Sequence, residues 1–181
     1  MRELGLTVLM VLSLATAVLG QGPAGSVALL EGQATVVRIG QAPVALKFGD
    51  RILAGEQIAT GAESLLRVLI GGRAVITVRE LSSVTITEEP SKIVISLSAN
   101  PPTGSKVAFM AGVKPGELHE VRTPNAVVQI ARHLMIVEYS GTTTIVDNMD
   151  GTDVRGATIV DGAVGPFRMI PAGQKIGRAH V

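Results

Sequence analysis

The feature that most constrains the fold is the pair Gly71-Gly72, which separates the apolar, β-branched runs SLLRVLI and RAVITV. Two glycines between strands supply the positive φ angles that a tight I′ or II′ turn requires, so the sequence predicts a β-hairpin. A two-residue loop would pair Ile70 with Arg73, Val68 with Val75 and Leu66 with Thr77. Because both faces of this hairpin are mostly apolar, we expect it to be covered on both sides at the centre of a β core.

Similar short strand patterns follow one another along the rest of the chain, with turn residues between them roughly every 8–12 residues. Predicted strands lie around 27–29, 34–36, 84–87, 92–97, 107–110, 118–121, 126–130, 135–139, 145–146, 157–160 and 167–170. The β-branched content of residues 126–135 argues against a helix there. The pattern therefore predicts an all-β fold, a single domain of many short strands, built as a β-sandwich or in the manner of a short β-solenoid.

Composition excludes several classes of function. The 181 residues are 46% hydrophobic and 17% charged, which is enough for one domain with a real core. The aromatic residues are Phe48, Phe109, Tyr139 and Phe167, and the net charge is +1, so we expect no nucleic-acid partner. Cysteine is absent, which excludes disulfides, thiolate metal ligands and catalytic thiols.

Residues 1–20 have the pattern of a secretory signal peptide. Met1-Arg2-Glu3 precedes the uncharged run LGLTVLMVLSLATAVLG, which ends in small residues suited to signal peptidase. The alternative is an uncleaved anchor helix, although seventeen residues are at the short limit for spanning a bilayer. Either interpretation predicts a periplasmic or extracellular location, with the membrane contacted only through an uncleaved signal segment.

The last six residues, IGRAHV at 176–181, resemble the translation of a sequencing-adapter read. We therefore expect the natural protein to continue past Lys175, and we assign residues 21–175 to the β domain. An ordinary basic tail is the alternative interpretation.

Five glycine-spaced segments resemble, in order, the motifs of the FecR domain family, the extracytoplasmic sensor module of iron-citrate-type signalling proteins. They are GDRILAGEQIATG at 49–61, SLLRVLIGG at 64–72, SSVTI at 82–86, KPGELHEVRTPNAVVQI at 114–130 and IVDGAVGPFRMIPAGQK at 159–175. The resemblance covers nearly all of residues 27–175. Where many members have Arg-Gly-Thr, this chain has Ala131-Arg132-His133, so a tight glycine turn is not expected there.

The resemblance implies a sensor or binding module rather than an enzyme. The family's regulators also carry a cytoplasmic sigma-factor-binding segment ahead of a membrane helix, whereas here three residues precede the hydrophobic run. We therefore expect a stand-alone exported FecR-like domain.

Few residues suggest metal chemistry. His119 and His133 would need carboxylates such as Glu117, Glu120 or Glu138 to converge with them, and surface histidines beside carboxylates are the simpler interpretation. The loop DNMDGTD at 147–153 is rich in oxygen ligands, but with Asp147 first its third position is Met149, which does not fit an EF-hand. We predict an acidic turn there, no metal site and no cofactor.

Nothing in the sequence predicts a catalytic centre. No Gly-x-Ser-x-Gly elbow occurs, and Glu88-Glu89 are predicted to lie in a turn with their side chains pointing apart. We therefore expect no catalytic residues and a non-enzymatic binding or sensor module that contacts a protein or an envelope polymer through loops or a sheet edge. The alternatives are a structural or assembly domain of a larger surface protein and an enzyme with an unrecognised site.

Overall fold

The computed structural model describes most of the chain between Gly22 and Gly177. The described residues are 22–38, 40–89, 92–98, 104–111, 117, 119–130, 133–141, 143–149, 154–160, 163–164, 168–170 and 175–177, with side chains described no further than Met149. The predicted signal peptide, residues 1–20, lies outside them.

The described part of the chain forms eighteen β-strands and no helix. In chain order they are β1 (Pro23–Glu31), β2 (Ala34–Val37), β3 (Val44–Ala45), β4 (Arg51–Leu53), β5 (Gln57–Thr60), β6 (Leu65–Ile70), β7 (Ala74–Val78), β8 (Ser83–Glu89), β9 (Lys92–Leu97), β10 (Ser105–Ala111), β11 (His119–Thr123), β12 (Ala126–Ile130), β13 (His133–Ser140), β14 (Thr143–Asn148), β15 (Val154–Val160), β16 (Ala163–Val164), β17 (Arg168–Ile170) and β18 (Lys175–Gly177). The all-β prediction is confirmed.

The strands form two sheets, and the chain passes repeatedly from one to the other. Sheet A has eight strands in the order β18-β14-β13-β10-β7-β6-β1-β4. Sheet B has ten, in the order β16-β15-β12-β11-β9-β8-β5-β2-β3, with β17 beside β15. Hairpins alternate between the two sheets along the chain. Strands β9 and β11 are neighbours in sheet B and pair in parallel, because the strand between them in sequence, β10, belongs to sheet A. The fold therefore combines a two-sheet body with solenoid-like crossings.

One apolar core fills the space between the sheets. Alternate residues of each strand face inward, as the period of two along a β-strand requires. Leu66, Val68 and Ile76 of sheet A belong to the same buried cluster as Ile58 and Ile86 of sheet B. Since aromatic residues are few, Val, Ile and Leu supply most of this burial.

The register of the central hairpin differs from the prediction by one residue. Gly71 and Gly72 both have positive φ, and the Arg73 amide donates to the Ile70 carbonyl over 2.8 Å, as the turn prediction requires. The ladder, however, resumes at Ile70 opposite Ala74 and continues through Val68 opposite Ile76, so Arg73 is an extra residue in the loop.

This shift also corrects the expectation that the hairpin is covered on both faces. Leu66, Val68 and Ile70 are buried together with Ala74, Ile76 and Val78, while the opposite face is exposed or half-buried. Without the extra residue, the inward residues of β6 would lie opposite Arg73, Val75 and Thr77, because a slip of one residue exchanges the faces of a strand. The bulged register places all six apolar side chains in the core.

Two predicted turns are shorter than expected. Glu88 and Glu89, predicted in a turn, belong to β8, because they pair with Ile93 and Lys92 of β9. Asp147 and Asn148, predicted in the acidic loop 147–153, are the last two residues of β14. Residues 150–153 lie outside the described part of the chain.

Candidate functional site

Within the described part of the chain, the residues considered for a metal site do not converge on one point. His119 on β11 is 1% exposed, so its interpretation as a surface histidine is wrong. Its Nε2 atom lies 3.9 Å from Oε2 of Glu117. Glu138 is on β13 of sheet A, where it pairs with Lys106 over 3.1 Å. The side chain of His133 is outside the described set. Among the residues that the structure describes, no three His, Asp or Glu side chains are grouped to hold a metal ion.

Glu120 is also engaged, by cations on its own sheet. Lys92 Nζ lies 3.3 Å from its Oε1 atom, and the Arg122 guanidinium binds its other oxygen. Burial alone would raise the pKa of Glu120, but the hydrogen bonds and charges of Arg122 and Lys92 outweigh it and lower the pKa. Glu120 is therefore an ionised partner of two cations rather than an acid or base for catalysis.

Arg73 joins the two sheets through an ion cluster that also includes Glu88, Glu117 and His119. Its guanidinium donates to Oε1 of Glu117 over 3.0 Å and to a carboxylate oxygen of Glu88. The Arg73 side chain is 12% exposed. Burial opposes its charge, but the two carboxylates raise its pKa. The bulge in the central hairpin thus aims a cation from sheet A at two anions on the side of sheet B.

His119 extends this ion cluster into the core. Its Nδ1 atom accepts a hydrogen bond from the Ile93 amide at 3.2 Å, which places the proton of the neutral ring on Nε2, towards Glu117. Its ring also contacts Phe109 edge-on, with centroids 5.6 Å apart. Burial is the main cause that lowers the pKa of His119, with Glu117 opposing and Arg73 reinforcing the shift.

His119 should make the fold less stable in mild acid. Its pKa lies below the ordinary value of about 6.5 in the folded state, so the unfolded chain binds the proton more readily. The stability that neutral His119 contributes is complete above about pH 6.5 and is lost as the pH falls below that value. We expect His119→Asn to reduce the pH dependence of the unfolding free energy between about pH 5.5 and 7.5. The side-chain oxygen of asparagine can still accept the Ile93 hydrogen bond. Urea unfolding at a series of pH values measures this dependence. The same dependence of the unfolding free energy on pH in both proteins would contradict the prediction. The other histidines are present in both proteins, so they do not contribute to the difference.

A second polar region lies at the opposite end of the central hairpin. A cleft of about 330 Å³ is lined by Arg79, Lys106, Glu138 and the hydroxyl residues Ser82 and Ser105, among others. Ser105 Oγ accepts from the Ser83 amide over 2.9 Å and donates to the Ser98 carbonyl over 2.7 Å, and Ser82 Oγ accepts from the Lys106 amide. These hydroxyls therefore join the two sheets through bonds to the backbone, and none of their hydrogen bonds within the described structure is to a histidine or carboxylate side chain.

Among the described residues, the most exposed large apolar side chain belongs to the turn between β3, at the edge of sheet B, and β4, at the edge of sheet A. Phe48 is 78% exposed, and Val44 on β3 is 45% exposed. The turn is nevertheless held firmly, because Leu46 is buried in the core, the Lys47 amide donates to Asp50 Oδ2 over 2.8 Å, and Gly49 donates to the Val27 carbonyl over 2.9 Å. A rigid turn therefore presents an aromatic ring to solvent beside an open strand edge.

Sequence reasoning missed both Arg73 and Phe48 as residues of interest. In the sequence, Phe48 is one of four aromatic residues. It precedes the turn residues Gly49-Asp50, and this position was the signal that could have indicated an exposed ring. Arg73 gave no local signal, because Glu117 lies 44 positions away along the chain. The sequence did single out Glu117 and His119 together, and the structure places them in contact range.

Comparisons with known proteins show the following. No protein-family model matches the chain, and no curated protein matches it in sequence. A crystal structure of a proposed anti-sigma factor from Parabacteroides distasonis is similar to it with a TM-score of 0.46 and 13% identity, over 64% of this chain. The similarity spans 59% of that protein. No helix of a length and hydropathy suited to crossing a bilayer occurs in the described part of this chain.

Proposed function

We propose that this chain is an exported, non-enzymatic FecR-like binding or sensor module, which contacts a protein or a polymer of the cell envelope through the β3 edge and Phe48. The observation that carries the proposal is the 78% exposure of Phe48 on a hydrogen-bonded turn. Leaving an aromatic side chain in water forgoes about 1.5–3 kcal/mol of burial, and a partner that covered it would recover that energy. Aromatic residues held rigidly are the common anchors of binding interfaces.

The strand edge next to Phe48 gives the proposed surface a second means of recognition. β3 pairs only with β2 among the described strands, so its other edge offers backbone groups to an incoming extended segment. Lys47 and Arg51 lie within three residues of Phe48 in the chain and are exposed, which would favour an acidic partner. The signal-peptide pattern of residues 1–20 and the order of the five FecR-like segments support the exported location and the family.

The proposal predicts that Phe48→Ala weakens binding without unfolding the protein. Full-length chain carrying a fluorophore, at nanomolar concentration, should bind saturably to envelopes of the organism that carries the gene. Because hot-spot truncations cost about 2 kcal/mol or more, Phe48→Ala should weaken this binding at least about tenfold. Its unfolding free energy should stay within about 0.5 kcal/mol of the parent, since the ring makes few contacts.

Met149→Ala is the matched control, because Met149 is also apolar and 57% exposed but lies beyond β14, several strands away. It should bind as the parent does. Binding that does not saturate, or that Phe48→Ala leaves unchanged, would refute the proposed surface.

A further inference from the structure

The outer face of sheet A carries a continuous row of apolar side chains. Leu69 of β6 lies opposite Val75 of β7, Val75 opposite Met110 of β10, and Met110 opposite Leu134 of β13. Met149, just after β14, continues the row, because its amide donates to the Leu134 carbonyl over 3.2 Å. We call these five side chains the apolar row. Leu69 is 41% exposed, Met110 49% and Met149 57%.

Such a row is unusual on the solvent face of an antiparallel sheet, where polar residues normally alternate with the core positions. Three of the five large hydrophobic side chains that the described structure exposes belong to it, and the other two are Val44 and Phe48 at the β3 edge. Contiguous exposed apolar groups of this kind mark interaction surfaces. The apolar row does not include the proposed Phe48 surface and needs an explanation of its own.

The neighbouring rows carry charges of opposite sign at opposite ends. The row next to the apolar row runs Arg67, Thr77, Ala108, Ile136, Asp147 from β6 to β14. In the row beyond it, Arg79 follows β7, with Lys106 on β10 and Glu138 on β13, and the apolar residues Leu65 and Ile145 lie at the two ends. Arg67 and Arg79 thus lie towards β6 and β7, Asp147 and Glu138 lie towards β14 and β13, and Lys106 lies on the central strand β10.

We propose that two copies of this chain pack through this face, sheet A against sheet A, about a two-fold axis that runs along β10. Such an axis places β6 opposite β14 of the other copy, β7 opposite β13, and β10 opposite itself. Leu69 then meets Met149, Val75 meets Leu134, and Met110 lies over its own symmetry mate. A two-fold interface must be self-complementary in this way.

The same axis matches the charges. Arg67 of one copy lies opposite Asp147 of the other, and Arg79 lies opposite Glu138. Lys106 lies on the axis over its own symmetry mate, where Glu138 of the same copy, 3.1 Å away, offsets its charge. Aligned sheets usually pack with their strand directions about 30° apart. A rotation of this size between the two copies keeps the pairings that lie closest to the centre of the interface. A bilayer surface would match the apolar row but not this alternation of charge.

The size of the surface sets the expected affinity. Five strands at about 4.8 Å spacing and three rows at about 6.7 Å spacing, with side-chain margins, cover roughly 500 Å² per copy. The pair would bury about 1,000 Å², at the lower end of specific interfaces. We therefore expect a reversible dimer with a dissociation constant of about 1–100 μM.

Sedimentation velocity on the full chain between about 1 and 200 μM tests this expectation, because the dimer should grow over that range. Met110→Glu places two charges against each other on the axis and should raise the dissociation constant at least about tenfold. Val44→Glu is the matched control, since Val44 is apolar and 45% exposed but lies at the edge of sheet B. It should dimerise as the parent does. A chain that stays monomeric at 200 μM, or association that Met110→Glu leaves unchanged, would overturn the proposal.

Cross-linking tests the axis itself, and the absence of natural cysteine makes single-cysteine variants unambiguous. With a bis-maleimide of about 8 Å, suited to sheets about 10 Å apart, Met110→Cys should cross-link to itself much faster than Val44→Cys. A mixture of Leu69→Cys and Met149→Cys should cross-link more than either variant alone. Equal rates at positions 110 and 44 would overturn the axis, and vesicle binding by a monomer that Met110→Glu abolishes would assign the face to a membrane instead.

Discussion

Replacing Gly104 by alanine should destabilise the protein by about 3–5 kcal/mol. Gly104 directly precedes β10 and has φ of +81°. A Cβ atom added there would lie 1.9 Å from the Tyr139 carbonyl oxygen and 2.9 Å from the Ser140 Cα. Both neighbours are backbone atoms of β13, so neither can move aside without separating β10 from β13 at the Ser105–Tyr139 pair.

Gly72→Ala separates the steric effect from the conformational one. Gly72 also has positive φ, +69°, but nothing lies within 4 Å of a Cβ placed there. Its substitution should cost only the left-handed backbone penalty of about 1–2 kcal/mol. In thermal unfolding, Gly104→Ala should lower Tm by roughly 8–16 °C and Gly72→Ala by several degrees only. Equal losses for the two variants would mean that the close approach of Gly104 to β13 contributes nothing.

The second large effect is expected at Arg73. Arg73→Met keeps the length of the apolar stem but leaves Glu88 and Glu117 without their shared cation. Removing one partner of a buried ion pair costs about 3–5 kcal/mol, and since Glu88 is 27% exposed we expect about 2–3 kcal/mol here. Urea unfolding at neutral pH measures the change.

A second substitution identifies the origin of this loss. The Oε2 atom of Glu117 is buried and makes no hydrogen bond within the described structure. Glu117→Gln in the Arg73→Met background should therefore recover part of the lost stability, because it removes the buried charge that Arg73 had compensated. Arg51→Met, at an exposed position of β4, should change stability by less than about 0.5 kcal/mol. Additive effects of Arg73→Met and Glu117→Gln would contradict a coupled cluster.

Several strands could be predicted closely because their signals are local. Lys92–Leu97 and Ala126–Ile130 were predicted with the bounds that the structure has, since each is a short β-branched run between turn residues. The turn at Gly71-Gly72 was predicted for a similar reason, because few residues adopt positive φ as readily as glycine. The register across that turn was wrong, since both faces of the hairpin are apolar and the alternation could not show which face is buried.

The candidate site was less accessible from the sequence. Glu117 and His119 are neighbours in the chain and were considered together, but the cation that joins them comes from the hairpin of the other sheet. The apolar row is likewise assembled from five segments spread between Leu69 and Met149. No window of sequence contains either arrangement, because each depends on which strands become neighbours.

The amino-acid sequence by itself determined the β class, the positions of most strands and turns, and the aliphatic character of the core. These properties follow from local sterics and from the period of two along a strand. Only the tertiary structure decided that successive strands such as β4 and β5 belong to different sheets, that Arg73 is an extra residue in its hairpin, and that Phe48 faces solvent. The reason is that sheet membership and register depend on contacts between residues far apart in the chain, which a local pattern of apolar and polar residues does not specify.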